Sequence, residues 1–66
     1  MRLTVNGEMR ELPADCSVAT LVARLTPAVR GVAVAVNGAV VPRSTWDSAG
    51  LTDGDRVEVL TAAQGG

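Results

Sequence analysis

The sequence predicts an α+β domain with one helix laid across a small sheet. Three observations predict it. Two Asn-Gly pairs, Asn6-Gly7 and Asn37-Gly38, each separate short stretches rich in apolar residues. One stretch between them carries apolar residues at helical spacing. A last run, Arg56 to Thr61, alternates as a strand does before the chain reaches Gly65-Gly66.

Asn-Gly is the strongest two-residue hairpin signal, because both positions tolerate positive φ. It divides Met1–Val5 from Glu8–Leu12, and Leu3 and Val5 alternate with Arg2 and Thr4 as a half-buried strand requires. Pro13-Ala14-Asp15 breaks the pairing. Ser17 is a candidate N-cap, followed by Val18, Leu21, Val22 and Leu25 at i, i+3, i+4 and i+7 on one helix face. Thr20 stands where Glu or Gln would complete a capping box. Pro27 ends the helix soon after Leu25. Val32-Ala33-Val34-Ala35-Val36 is apolar on both faces, which suggests a central strand covered on both sides or one facing a partner. The second Asn-Gly turns it into a short strand at Ala39-Val40-Val41, ended by Pro42. Arg43 to Leu51 is irregular, with room for a helical turn, and holds the one aromatic residue, Trp46. Asp53-Gly54-Asp55 makes the last turn. The expected core is Leu3, Val5, Val18, Leu21, Val22, Leu25, Val34, Val36, Leu51, Val57 and Val59. Spacing does not say which strands are neighbours.

Sixty-six residues make one small domain, 1–66, with 62–66 as a flexible Gly-Gly tail. A chain this short is stable only if nearly every apolar residue is used, and 47% hydrophobic residues permit that. Six Arg, no Lys and seven acidic residues give a net charge of -1, without the positive surface a nucleic-acid binder needs. The longest apolar run, Val32 to Val36, is too short to cross a bilayer, and the N-terminus has no signal-peptide pattern, so the cytoplasm is the expected compartment. One Cys allows no internal disulfide; without His, no metal site or common acid–base triad is expected. Without Lys there is no Walker loop. The chain is expected to bind no cofactor and to be no enzyme: a carrier, a binding module or a substrate.

Gly65-Gly66 follows the last strand with no polar linker. Two terminal glycines arise by chance in roughly 0.5% of chains, and a frayed inert end is the plain alternative. The functional reading is physical. Glycine lacks a Cβ, so it enters narrow channels. The five residues from Ala62 span at most roughly 17 Å when extended, enough to reach a nucleotide buried in a partner. Attack of the Gly66 carboxylate on the α-phosphorus of ATP, with Mg²⁺ neutralising the phosphates, would give an acyl-adenylate. A sulfur nucleophile displacing AMP would then leave a thiocarboxylate. Gly66 is the candidate reacting residue, Gly65 and Gln64 belong to the tail, and Leu60, Ala62 and Ala63 are candidate partner contacts.

Val36-Asn37-Gly38, then Val41-Pro42-Arg43 with Trp46, then Leu51, Gly54-Asp55, Val57-Glu58-Val59 and Gly65-Gly66 at the end together resemble the ThiS family, the sulfur carriers of thiazole formation in thiamine biosynthesis. The resemblance covers the whole chain, and its specificity lies in residues 36 to 66. It implies a ubiquitin-like β-grasp fold, a mixed sheet of four to five strands with the first and last parallel at its centre. It implies two partners: an E1-like ATP-dependent adenylyltransferase, which uses ATP and Mg, and thiazole synthase, which takes sulfur from the thiocarboxylate. A sulfur-donor enzyme of unknown identity completes the set, and the free chain is expected to be a monomer. On this reading Gly66 carries the sulfur.

Other readings stay open. The small subunit of molybdopterin synthase, or another β-grasp sulfur donor, shares the Gly-Gly end; a ubiquitin-like protein modifier or an inert interaction domain belongs to another class. Cys16 reads as an ordinary small apolar residue, Trp46 as a side chain pinning its loop to the core, and Asp53 and Asp55 as turn residues.

Overall fold

In the computed structural model, residues 1–27 and 30–62 are described. Five strands and one helix follow in the order β1 (Arg2–Val5), β2 (Glu8–Glu11), α1 (Val18–Leu25), β3 (Val32–Val36), β4 (Ala39–Val40) and β5 (Arg56–Thr61). A 3₁₀ turn at Arg43–Thr45 lies between β4 and β5. The strands form one sheet in the order β2-β1-β5-β3-β4. β1 and β5 run parallel at its centre, with Thr4 opposite Arg56 and Val5 opposite Val57. All other pairings are antiparallel. This is the β-grasp arrangement that the resemblance implies, and it supplies the neighbours that spacing left open.

Both Asn-Gly pairs form hairpin turns with positive φ at each residue: 52° and 83° at Asn6-Gly7, 52° and 87° at Asn37-Gly38. Ser17 caps α1, its Oγ accepting the Thr20 N–H at 3.2 Å. The helix ends at Leu25, where Thr26 N–H still reaches the Val22 carbonyl at 3.0 Å before Pro27. Val18, Leu21 and Val22 of α1 pack on Leu3, Val5, Val34, Val57 and Val59 of the sheet. Among the described residues, no helix is long and apolar enough to cross a membrane.

The core differs from the expected one in two ways. Leu25 and Val36 are only half-buried, since they sit at the last turn of α1 and beside the Asn37 turn. Leu12, Cys16 and Trp46 are buried instead. Trp46 closes one flank of the core, its Nε1 donating to the Val41 carbonyl at 2.9 Å while the Arg43 guanidinium lies 4.6 Å from the ring centroid. The turn aspartates do more than turn. Asp53 Oδ1 accepts the Arg2 N–H at 2.6 Å, and Asp55 accepts from Thr52 N–H at 2.8 Å and Asn37 Nδ2 at 2.9 Å.

Of the two readings of β3, cover on both sides is the one the structure does not bear out. The strand is central but not covered on both sides: Val34 is buried, Ala33 is exposed and Ala35 half-buried. The single helix covers one face, and no described residue forms a second layer. Alanines at 33 and 35 keep the apolar area left to water small.

Candidate functional site

β5 runs through the sheet and delivers the chain to Ala62, so whatever fixes β5 fixes the point from which the last residues depart. Two asparagine side chains do so from opposite sides. At the end of β1, Asn6 Nδ2 donates to the Val59 carbonyl at 3.1 Å, and Val59 N–H donates to Asn6 Oδ1 at 2.8 Å. The amide thus stands in for a strand residue where β1 has run out. At the end of β3, Asn37 Oδ1 accepts the Arg56 N–H at 2.9 Å and its own N–H donates to the Arg56 carbonyl at 2.7 Å.

The far end of β5 is held to β3. Ala62 N–H donates to the Gly31 carbonyl at 2.6 Å. Gly31 has φ +72°, and a Cβ there would lie 3.0 Å from the Ala62 Cβ. Only glycine meets both demands.

The sheet face away from the helix is open to solvent. Arg56, Glu58 and Leu60 of β5 share it with Thr4, Ala33, Ala35 and Val40 around a groove of about 440 Å³. Leu60 and Val40 are 70% and 76% exposed, an unusual position for large apolar side chains on one face. Ala33 and Leu60 also border a shallow depression with Gly31, Val32, Thr61 and Ala62, so the groove continues to the root of the tail.

Of the expected site residues, Leu60 and Ala62 lie exposed at this root. Ala63, Gln64, Gly65 and Gly66 lie outside the described residues. Cys16 is buried in the core, its Sγ 3.4 Å from the Ser17 carbonyl. Among the described residues no group of His, Cys, Asp and Glu could hold a metal ion. The open face beside the tail root presents main chain and apolar surface at Leu60 and Val40 together with the charged Arg56 and Glu58. Asn6 and Gly31 were not singled out from the sequence as supports for β5. In the sequence Asn6 reads as a turn residue alone, and no local pattern marks the approach of Gly31 to Ala62. The alternation of Val and Ala in β3 was the one available sign of a two-faced strand.

Known proteins place this geometry in a family. Residues 3–66 match the ThiS family. The crystal structure of a thiamine biosynthesis protein (ThiS) from Geobacter metallireducens is similar at a TM-score of 0.83 and 35% identity, covering 100% of both chains. A solution structure of a thiamine biosynthesis protein from the same organism gives 0.81 and 36%, covering 100% of this chain and 88% of that one. A thiazole synthase of Paramagnetospirillum magneticum is 36% identical over all 66 residues, which span 20% of that relative's length. A match over nearly the whole sequence, with the same five-stranded fold, makes this chain a member of the ThiS family.

Proposed function

We propose that the chain is a sulfur carrier for thiazole formation in thiamine biosynthesis, with the Gly66 carboxylate as its reacting group. Family membership supports the carrier role. What supports this assignment is the central strand β5, clamped on both sides and held as far as Ala62, with Gly65-Gly66 following shortly after it in the sequence. A carboxylate is anionic and resonance-stabilised, so it needs activation before a sulfur nucleophile can attack it. On an E1-like adenylyltransferase, a Gly66 oxygen attacks the α-phosphorus of ATP and pyrophosphate leaves, with Mg²⁺ neutralising the phosphates. Sulfide-level sulfur, as hydrosulfide released by a donor enzyme, then attacks the acyl carbon and loses its proton, so no change of oxidation state is needed. The C–S bond forms as the C–O bond to AMP breaks, leaving the thiocarboxylate that thiazole synthase consumes. Both nucleotide and metal belong to the adenylating partner, and this chain is a co-substrate rather than an enzyme.

The thiazole synthase relative, which contains a counterpart of the whole chain, favours the thiazole pathway over molybdopterin synthesis. The open face beside Leu60 and the exposed Ala62 suit transient contact with successive enzymes, and Ala63 is assigned to the same contact.

The test is intact-mass analysis of the chain after incubation with its adenylyltransferase, a sulfur source and ATP. One oxygen-to-sulfur exchange is expected, and deletion of Gly66 abolishes it while leaving the fold intact. Higher-mass conjugates would identify a protein modifier instead. A Gly66-deleted chain that still gained sulfur would place the reacting group elsewhere.

A further inference from the structure

β5 outruns its neighbour on one side. Toward β3, Ala62 N–H bonds to Gly31 and the register sets Leu60 opposite Ala33 and Glu58 opposite Ala35, so these even-numbered residues face β3. The odd-numbered residues turn their main-chain groups toward β1. The Asp55 carbonyl accepts from Thr4 N–H at 3.0 Å and the Val57 carbonyl from Asn6 N–H at 2.9 Å. Val59 has both groups taken by the Asn6 side chain. Thr61 is next in the series. By then β1 has ended at Val5 and the chain has turned away through Asn6-Gly7 into β2. Neither the N–H nor the C=O of Thr61 has a partner among the described residues.

This open ladder position lies at the root of a segment with little else to recognise. In Ala62-Ala63-Gln64-Gly65-Gly66, only Gln64 has a side chain larger than methyl. An enzyme drawing these residues into its active site has their main chain to hold. An open strand edge is a ready template for an added extended segment. Asn6, by sealing Val59, confines that template to the part of β5 next to the tail.

We infer that thiazole synthase grips the tail root by main-chain pairing: an extended segment of the enzyme bonds to the N–H and C=O of Thr61 on the β1 side of β5. The inference rests on the sulfur-carrier reading and adds how the receiving enzyme holds the chain. Thiazole synthase is the partner chosen because a relative of that name contains a counterpart of all 66 residues within its own chain, so the two are built to work in contact.

The test uses the full chain and thiazole synthase from the same cell. Thr61→Pro replaces the outward N–H with a ring carbon. It spares the β3 ladder, in which that N–H takes no part, and proline is tolerated where the N–H faces an open edge. Thr61→Val removes the hydroxyl and keeps the N–H. Calorimetric titration is expected to show binding weakened about tenfold by Thr61→Pro and changed by less than roughly twofold by Thr61→Val. Amide hydrogen exchange of the unsubstituted chain gives an answer that needs no variant. The Thr61 amide should exchange rapidly in the free chain and slowly in the complex. Equal affinity of a folded Thr61→Pro chain, or a Thr61 amide still unprotected in a formed complex, overturns the pairing alone. Failure of the unsubstituted chain to bind thiazole synthase overturns both the pairing and the sulfur-carrier reading beneath it.

Discussion

The side chain of Asn6 and the backbone of Val59, 53 residues apart, exchange two hydrogen bonds of 3.1 and 2.8 Å. The same residue makes the β1–β2 turn at φ 52°. Its two tasks are separable. Asn6→Gly keeps the turn, since glycine takes positive φ freely, but leaves the Val59 N–H and C=O without their partners. A loss of about 1–3 kcal/mol is expected in denaturant unfolding, a large share of the roughly 3–10 kcal/mol typical for a chain this size. No change would mean that water replaces the amide at no cost.

Gly31 tests the other hold on β5. Gly31→Ala forces an L residue to φ +72° and sets its Cβ 3.0 Å from that of Ala62. Destabilisation of about 1–2 kcal/mol is expected from the backbone strain, together with slower sulfur loading as the tail root shifts. Adding Ala62→Gly should relieve the contact but not the strain. Full recovery of stability by the double variant would show that crowding, and not φ, sets the cost.

Trp46 is 5% exposed, hydrogen-bonded to Val41 and stacked by Arg43. Trp46→Ala should cost about 3–5 kcal/mol, read as a strongly lowered midpoint in denaturant unfolding. A folded, stable Trp46→Ala chain with weakened partner binding would make the residue an interface anchor instead.

Cys16→Ala should lower stability by about 1 kcal/mol through lost burial and leave the oxygen-to-sulfur exchange untouched. The thiol is buried, and the carrier chemistry needs none. Loss of the mass shift in this variant would bring the cysteine into the reaction.

Leu60 is the opposite case, a large apolar residue 70% exposed beside the tail. Leu60→Ser should change stability by less than about 0.5 kcal/mol but weaken binding to the adenylating enzyme or thiazole synthase by at least about fivefold. Unchanged affinity for both enzymes would remove the open face from the interface.

The elements and their breaks were legible because each has a local cause. Asn-Gly needs positive φ at both positions, Ser17 caps the next turn, Pro27 lacks an N–H, and Val57 and Val59 alternate with Arg56 and Glu58. The core was mostly legible for the same reason. Trp46 is buried as its reading implies, whereas Leu12 was missed, and Val36 and Leu25 are only half-buried because they sit at element ends.

By itself, the sequence determined one helix, hairpin turns, an apolar set sufficient for a single core, and a glycine-ended tail after the last strand. The family resemblance implied the parallel β1–β5 pair; only the tertiary structure decided that β3 flanks β5 on its other side, that one face of the sheet stays bare, and that Asn6 and Gly31 hold the strand leading to Ala62. Hairpins and helices form between residues close along the chain, so their signals are local. The pairing of β1 with β5, the Asn6–Val59 clamp and the Gly31–Ala62 contact join residues 31 to 53 positions apart, and no local pattern encodes such a meeting.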